Sequence, residues 1–100
     1  MELVTQYIMK HSNGKKHPVC GSQIAKAYEI SGWEVRRLIN VARCKGDPIC
    51  SCSSGYYIAS DRQEIQKTID SLDSRIAAMS NARNGLQKSL SNDSFWREAV

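Results

Sequence analysis

The chain has 100 residues, enough for one small core and an appendage but not for two full domains. Hydrophobic residues make up 41% and charged residues 24%, which argues against wholesale disorder, and no run approaches the roughly 20 apolar residues of a membrane span. The formal net charge of +4 sits entirely in residues 1–58, with eight basic and four acidic side chains, whereas residues 59–100 hold six of each.

A first helix is predicted from Glu2 to Lys10, because Leu3, Tyr7 and Ile8, with Val4 beside them, recur at helical spacing. This opening lacks a basic start followed by a long apolar run, so no secretory leader is expected and the four cysteines read as reduced thiols of a cytoplasmic protein. Residues 12–18, with Lys15 and Lys16 between Gly14 and Pro18, form a break. Ser22 is placed to cap a short second helix from Gln23 to Glu29, with Ile24, Ala25 and Tyr28 inward. After the tight connection Ile30-Ser31-Gly32, the capping box Ser31-x-x-Glu34 opens a third helix, which Gly46 and Pro48 stop after about Lys45. At 100° per residue, Val35, Leu38, Ile39 and Ala42 share one arc of about 100° and predict a buried stripe. Trp33, Arg36, Arg37, Asn40 and Cys44 point the other way, with Arg43 at the flank. That outward face is positive, carries a planar aromatic and contains no acid.

Beyond Asp47-Pro48 the period changes. Ile49 to Cys52 and Tyr56 to Ala59 read as two strands around Ser53-Ser54-Gly55, a β-hairpin. One of Tyr56 and Tyr57 should point inward and the other outward. Asp61-x-x-Glu64 is a second capping box and opens a long helix. Ile65, Ile69, Leu72, Ile76 and Met79 step by four, three, four and three, a heptad seam with d at 65, 72, 79 and 86 and a at 69, 76, 83 and 90. Arg83 occupies one a position and Asn84-Gly85 follows, before Leu86 and Leu90 resume the seam. Either one helix crosses this defect or the chain bends back there. A helix of about 30 residues would be about 45 Å long, too long to be buried on one small domain. The expected organisation is a first domain over 1–60, a long amphipathic helix over 61–91 and a tail over 92–100 with the apolar pair Phe95 and Trp96.

The order helix, helix, helix, hairpin, with Ile24-Ala25-x-x-Tyr28-Glu29-Ile30-Ser31, Val35-Arg36-Arg37-x-Ile39-Asn40, Ala42-Arg43-x-x-Gly46, Pro48-Ile49-Cys50 and Gly55-Tyr56-Tyr57-Ile58, resembles the biotin-repressor-like winged helix-turn-helix domains, including those of small phage and prophage DNA-binding proteins. The resemblance covers residues 1–60. It implies a mainly α fold with a small β-hairpin (α+β), followed here by the long C-terminal helix, and it implies that the third helix enters the major groove of double-stranded DNA. On that footing Arg36, Arg37 and Arg43 would meet phosphates or guanine edges, and Asn40 would read adenine. Lys15, Lys16 and Lys45 would hold the backbone, and Ser53 and Ser54 at the hairpin tip would touch phosphate. Trp33 would either stack on a sugar or base or pack against the neighbouring turn.

The seam Ile65, Ile69, Leu72, Ile76, Met79, Leu86 and Leu90 points to a homodimer that places two such helices on two half-sites. The role implied is a transcriptional regulator or replication accessory of a phage or mobile element. The uncharged hairpin tip and apolar tail suggest the alternative, a protein-interaction module docking a replication or host-defence protein through its C-terminal helix.

No catalytic pattern emerges. There is no Gly-rich phosphate loop and no Gly-x-Ser-x-Gly elbow. His11 and His17 lack an acidic neighbour in sequence, and nothing further supports Cys20 as a nucleophile with His17. Cys50 and Cys52 form one C-x-C pair with no second pair, so no zinc site, cofactor or enzyme activity is expected.

Overall fold

The computed structural model describes residues 1–98 and runs α1 (Leu3–His11), α2 (Gly21–Tyr28), α3 (Gly32–Cys44), β1 (Ile49–Cys52), β2 (Gly55–Ile58), α4 (Arg62–Leu90) and α5 (Asp93–Glu98). The protein is mainly helical with one antiparallel hairpin and a long C-terminal helix, the α+β class expected from the sequence. It divides into two compact units, the first ending at Thr68 and the second beginning at Ile69.

The core of the first unit draws Val4 and Ile8 from α1, Val19 from the following loop, Ile24 from α2, Val35, Ile39 and Ala42 from α3, and Ile49 from β1. The α3 stripe is therefore the one its spacing predicts. In α1 the inner face is turned by one residue: Thr5 is buried and Leu3, expected inward, is 70% exposed. The cause is polar. Thr5 Oγ1 donates to Asp47 Oδ2 at 2.6 Å and the Glu2 amide donates to the same oxygen at 3.0 Å. Asp47, on the α3–β1 connection, thus ties down the start of α1 and satisfies the buried hydroxyl.

Ser22 does not cap α2. The residue before the helix is Cys20, without a side-chain cap bond, and Ser22 lies in the first turn with its hydroxyl 3.1 Å from Cys20 Sγ. The start is set instead by the hairpin. Val19 N–H donates to Tyr56 O at 2.8 Å and Tyr56 N–H to Val19 O at 2.7 Å, so the chain is in an extended bridge one residue before Cys20. Two helices end alike, through paired bonds that close a left-handed terminus. In α2, Ile30 N–H reaches Ala25 O and Glu29 N–H reaches Lys26 O, with Glu29 itself at φ 54°. In α3, Asp47 N–H reaches Ala42 O and Gly46 N–H reaches Arg43 O, with Gly46 at φ 95°. Between them, Ser31 Oγ accepts from Glu34 N–H at 3.1 Å and caps α3 as its sequence indicates.

The hairpin pairs Ile49 with Ile58, Cys50 with Tyr57, Ser51 with Tyr56 and Cys52 with Gly55, leaving Ser53-Ser54 as the tip. Gly55 belongs to the strand rather than the loop. Both faces are covered, which is why neither tyrosine is free. Ile49, Tyr56 and Ile58 lie on the helical core. Cys50 and Tyr57, both buried, lie on the other face, where Cys50 Sγ is 3.5 Å from Glu64 O in the first turn of α4. Thr68, a turn further on, is buried too. These first turns of α4 close the unit, so it extends past residue 60 to Thr68.

At the start of α4, Glu64 N–H donates to Asp61 Oδ1 at 2.9 Å, and Glu64 Oε1 accepts from the amide and hydroxyl of Ser60 at 2.7 and 2.6 Å. The helix crosses Arg83-Asn84-Gly85 without interruption and ends at Leu90. In the tail, Trp96 Nε1 donates to Ser89 O at 2.7 Å and its ring meets Phe95 edge-on at 5.3 Å. Ala99 and Val100, in the tail expected over 92–100, lie outside the described residues.

Candidate nucleic-acid interface

The capped start and glycine-closed end of α3 fix which of its residues face outward. Trp33, Arg36, Arg37, Asn40, Val41 and Cys44 are exposed, while Val35, Ile39 and Ala42 are buried. Trp33 is 68% exposed and has no ring partner among the described residues. Arg36, Arg37 and Asn40 have no hydrogen bond or ion pair among the described residues. The face therefore offers two unneutralised guanidiniums, one carboxamide and one indole along about 10 Å of helix. Such groups supply forked cationic donors, a paired donor and acceptor, and a stacking plane.

Two of the expected contacts are already engaged. Arg43 turns inward: its Nε donates to Ile49 O at 2.9 Å and its Nη2 to Ser51 Oγ at 3.2 Å, so the half-buried guanidinium staples α3 to β1. Its angular position at the flank of the buried stripe was the available signal. Lys45 Nζ is 2.6 Å from Glu2 Oε1. That hydrogen bond and the carboxylate charge raise the Lys45 pKa, while its side chain stays largely exposed. No local pattern could reveal this pairing, since the partner lies near the other end of the first unit's sequence.

The remaining expected contacts are exposed but not gathered onto α3. Lys15 and Lys16 are exposed between α1 and α2, and Lys15 lies within electrostatic range of Glu64 at the start of α4. Ser53 and Ser54 are exposed at the hairpin tip. Asp47, which sequence reasoning did not single out, has its pKa lowered first by the Thr5 hydroxyl and then by the Glu2 amide. Its role is to fix α1 against the end of α3.

The seam of α4 divides at the unit boundary. Ile65 is half-buried within the first unit, so it does not belong to an open surface. Ile69, Ile76, Met79, Leu86 and Leu90 are exposed and Leu72 is half-buried. Among the described residues no three His, Cys, Asp or Glu side chains come together as a metal site, and no helix is long and apolar enough to cross a membrane. No protein-family model, no curated protein and no solved structure matches the chain.

Proposed function

We propose that this protein binds double-stranded DNA as a winged helix-turn-helix, with α3 in the major groove and the Ser53-Ser54 tip beside the backbone. The observation that carries the reading is the outer face of α3, where Arg36, Arg37, Asn40 and Trp33 are exposed together with no hydrogen-bond, ion-pair or ring partner among the described residues. A cation left unpaired on a solvated helix is common, but this face lies between two closed helix ends, so its side chains are held in a fixed register. Arg36 and Arg37 supply phosphate or guanine contacts, and Asn40 pairs with adenine. Lys15 and Lys16 add only backbone attraction. Arg43 acts through the hairpin, setting the angle of the tip to α3, rather than by touching DNA.

The two free guanidiniums of α3 make few phosphate contacts. Pairing of two copies through the exposed residues of α4 doubles them and raises affinity through effective concentration. The role that fits is regulation of transcription, or assistance to replication, at a two-fold symmetric site. Selection from a pool of random duplexes tests this. Native protein enriches one motif, and Asn40→Ala relaxes the preference at one base pair of each half-site, worth about 1–3 kcal/mol of discrimination. Recovery of no motif, with no duplex retained, contradicts it.

A further inference from the structure

We propose that two copies of the chain pair through α4 in an antiparallel register, with Arg83 of each copy reaching Asp73 of the other. This deepens the self-association in the reading above and rests on that part alone, since it needs no DNA. The seam from Ile69 to Leu90 is apolar except for Arg83 at an a position. Arg83 bonds only to the neighbouring Asn84 Oδ1, at 3.4 Å, and Asp73 has no partner among the described residues. The two lie about 15 Å apart along one helix, so they cannot meet within a copy.

The direction of pairing follows from these charges. In a parallel, in-register pair, a faces a, so Arg83 would oppose a second Arg83. The flanking g and e residues would be Thr68 with Asp73, Arg75 with Ser80 and Ala82 with Gln87, none an ion pair. In an antiparallel pair, a residues lie level with d residues. Centring it between Ala77 and Ala78 sets Ile69 against Leu86, Ile76 against Met79 and Leu72 against Arg83, each layer occurring twice. Arg83 then lies beside Asp73 at the adjoining e position. Its methylenes cover Leu72 while its guanidinium reaches the carboxylate at the edge. Ile76, Met79, Ser80 and Arg83 already line a shallow, mostly apolar hollow at the centre of this register. The occupant is a second copy because the surface is complementary to itself: the layers Ile69–Leu86 and Ile76–Met79, and the charges of Arg83 and Asp73, are matched by the same helix reversed.

Light scattering on the full chain under reducing conditions, without DNA, tests the register. The native protein is a dimer at about 100 μM, and Asp73→Arg or Arg83→Asp alone weakens it about tenfold or more, because two attractions become two repulsions. The double variant, Asp73→Arg with Arg83→Asp, restores dimerisation to within about threefold of native, a rescue that only direct pairing of the two positions gives. Circular dichroism confirms that α4 stays helical in each variant. A native chain that remains monomeric overturns the pairing itself. A dimer indifferent to Asp73→Arg, or a double variant no better than the singles, overturns the antiparallel register while leaving the DNA-binding reading intact.

Discussion

At Gly55 an added Cβ would stand 2.3 Å from Val19 O, inside any real contact distance, and the backbone φ is 142°. The close approach exists because Val19 and Tyr56 exchange two backbone bonds, which fix the start of α2 against the hairpin. Gly55→Ala should therefore cost about 2 kcal/mol or more, read as a lowered thermal midpoint; a change below about 0.5 kcal/mol would contradict the packing. Asp47 works at the same scale through charge. Its pKa is held below the usual 3.8 by the Thr5 hydroxyl and the Glu2 amide, so the folded state favours the ionised form. That stabilisation is present in full above the unfolded value and is lost as pH falls through the lowered one. Thermal midpoints measured from pH 6 down to pH 2 should fall in the native protein, and Asp47→Asn should be less stable at pH 6 with a shallower acid dependence. Equal acid dependence in both would refute the role. Neither Asp47 nor Lys45 could be assigned from sequence, because their partners Thr5 and Glu2 are more than 40 residues away.

The elements themselves were more legible, because each is written in local spacing. The α3 stripe, its Ser31 cap and the Gly46 stop needed only neighbours within a turn or two. The errors lie where tertiary contacts overrule local signals. Ser22 lost the cap position to the Val19–Tyr56 bridge, and Leu3 lost the inner face of α1 to Thr5. Continuity of α4 through Gly85 could not be decided from the sequence. A glycine costs about 1 kcal/mol there, which the helix of 29 residues absorbs. The α2–α3 turn has a measurable consequence. Glu29 sits in the left-handed region at φ 54°, ψ 47°, where a side chain costs about 1–2 kcal/mol. Glu29→Gly should stabilise the protein by about 0.5–1 kcal/mol after the added freedom of the unfolded chain is subtracted. A lower midpoint in denaturant would mean that the Glu29 side chain stabilises the turn in a way the backbone geometry does not reveal.

At the scale of the whole molecule, the excess positive charge and the exposed heptad seam belong to different units. The first unit carries the excess positive charge and buries its apolar stripes, while most seam residues of α4 beyond Thr68 remain exposed. The candidate site was legible in part. The outward placement of Trp33, Arg36, Arg37 and Asn40 follows from helical angle alone, whereas the engagement of Arg43 depends on the hairpin that follows it and that of Lys45 on a partner 43 residues away. What remains on α3 is a smaller cationic face than composition suggests, and the proposed DNA binding would depend heavily on Arg36 and Arg37. The most direct measurement is duplex affinity at about 100 mM salt, and its dependence on salt, for the native protein and for Arg36→Ala with Arg37→Ala. The double variant should bind at least about tenfold more weakly, with a salt slope reduced by about 1 for each phosphate contact removed. Unchanged affinity and slope would contradict the assignment of α3 as the DNA-reading helix.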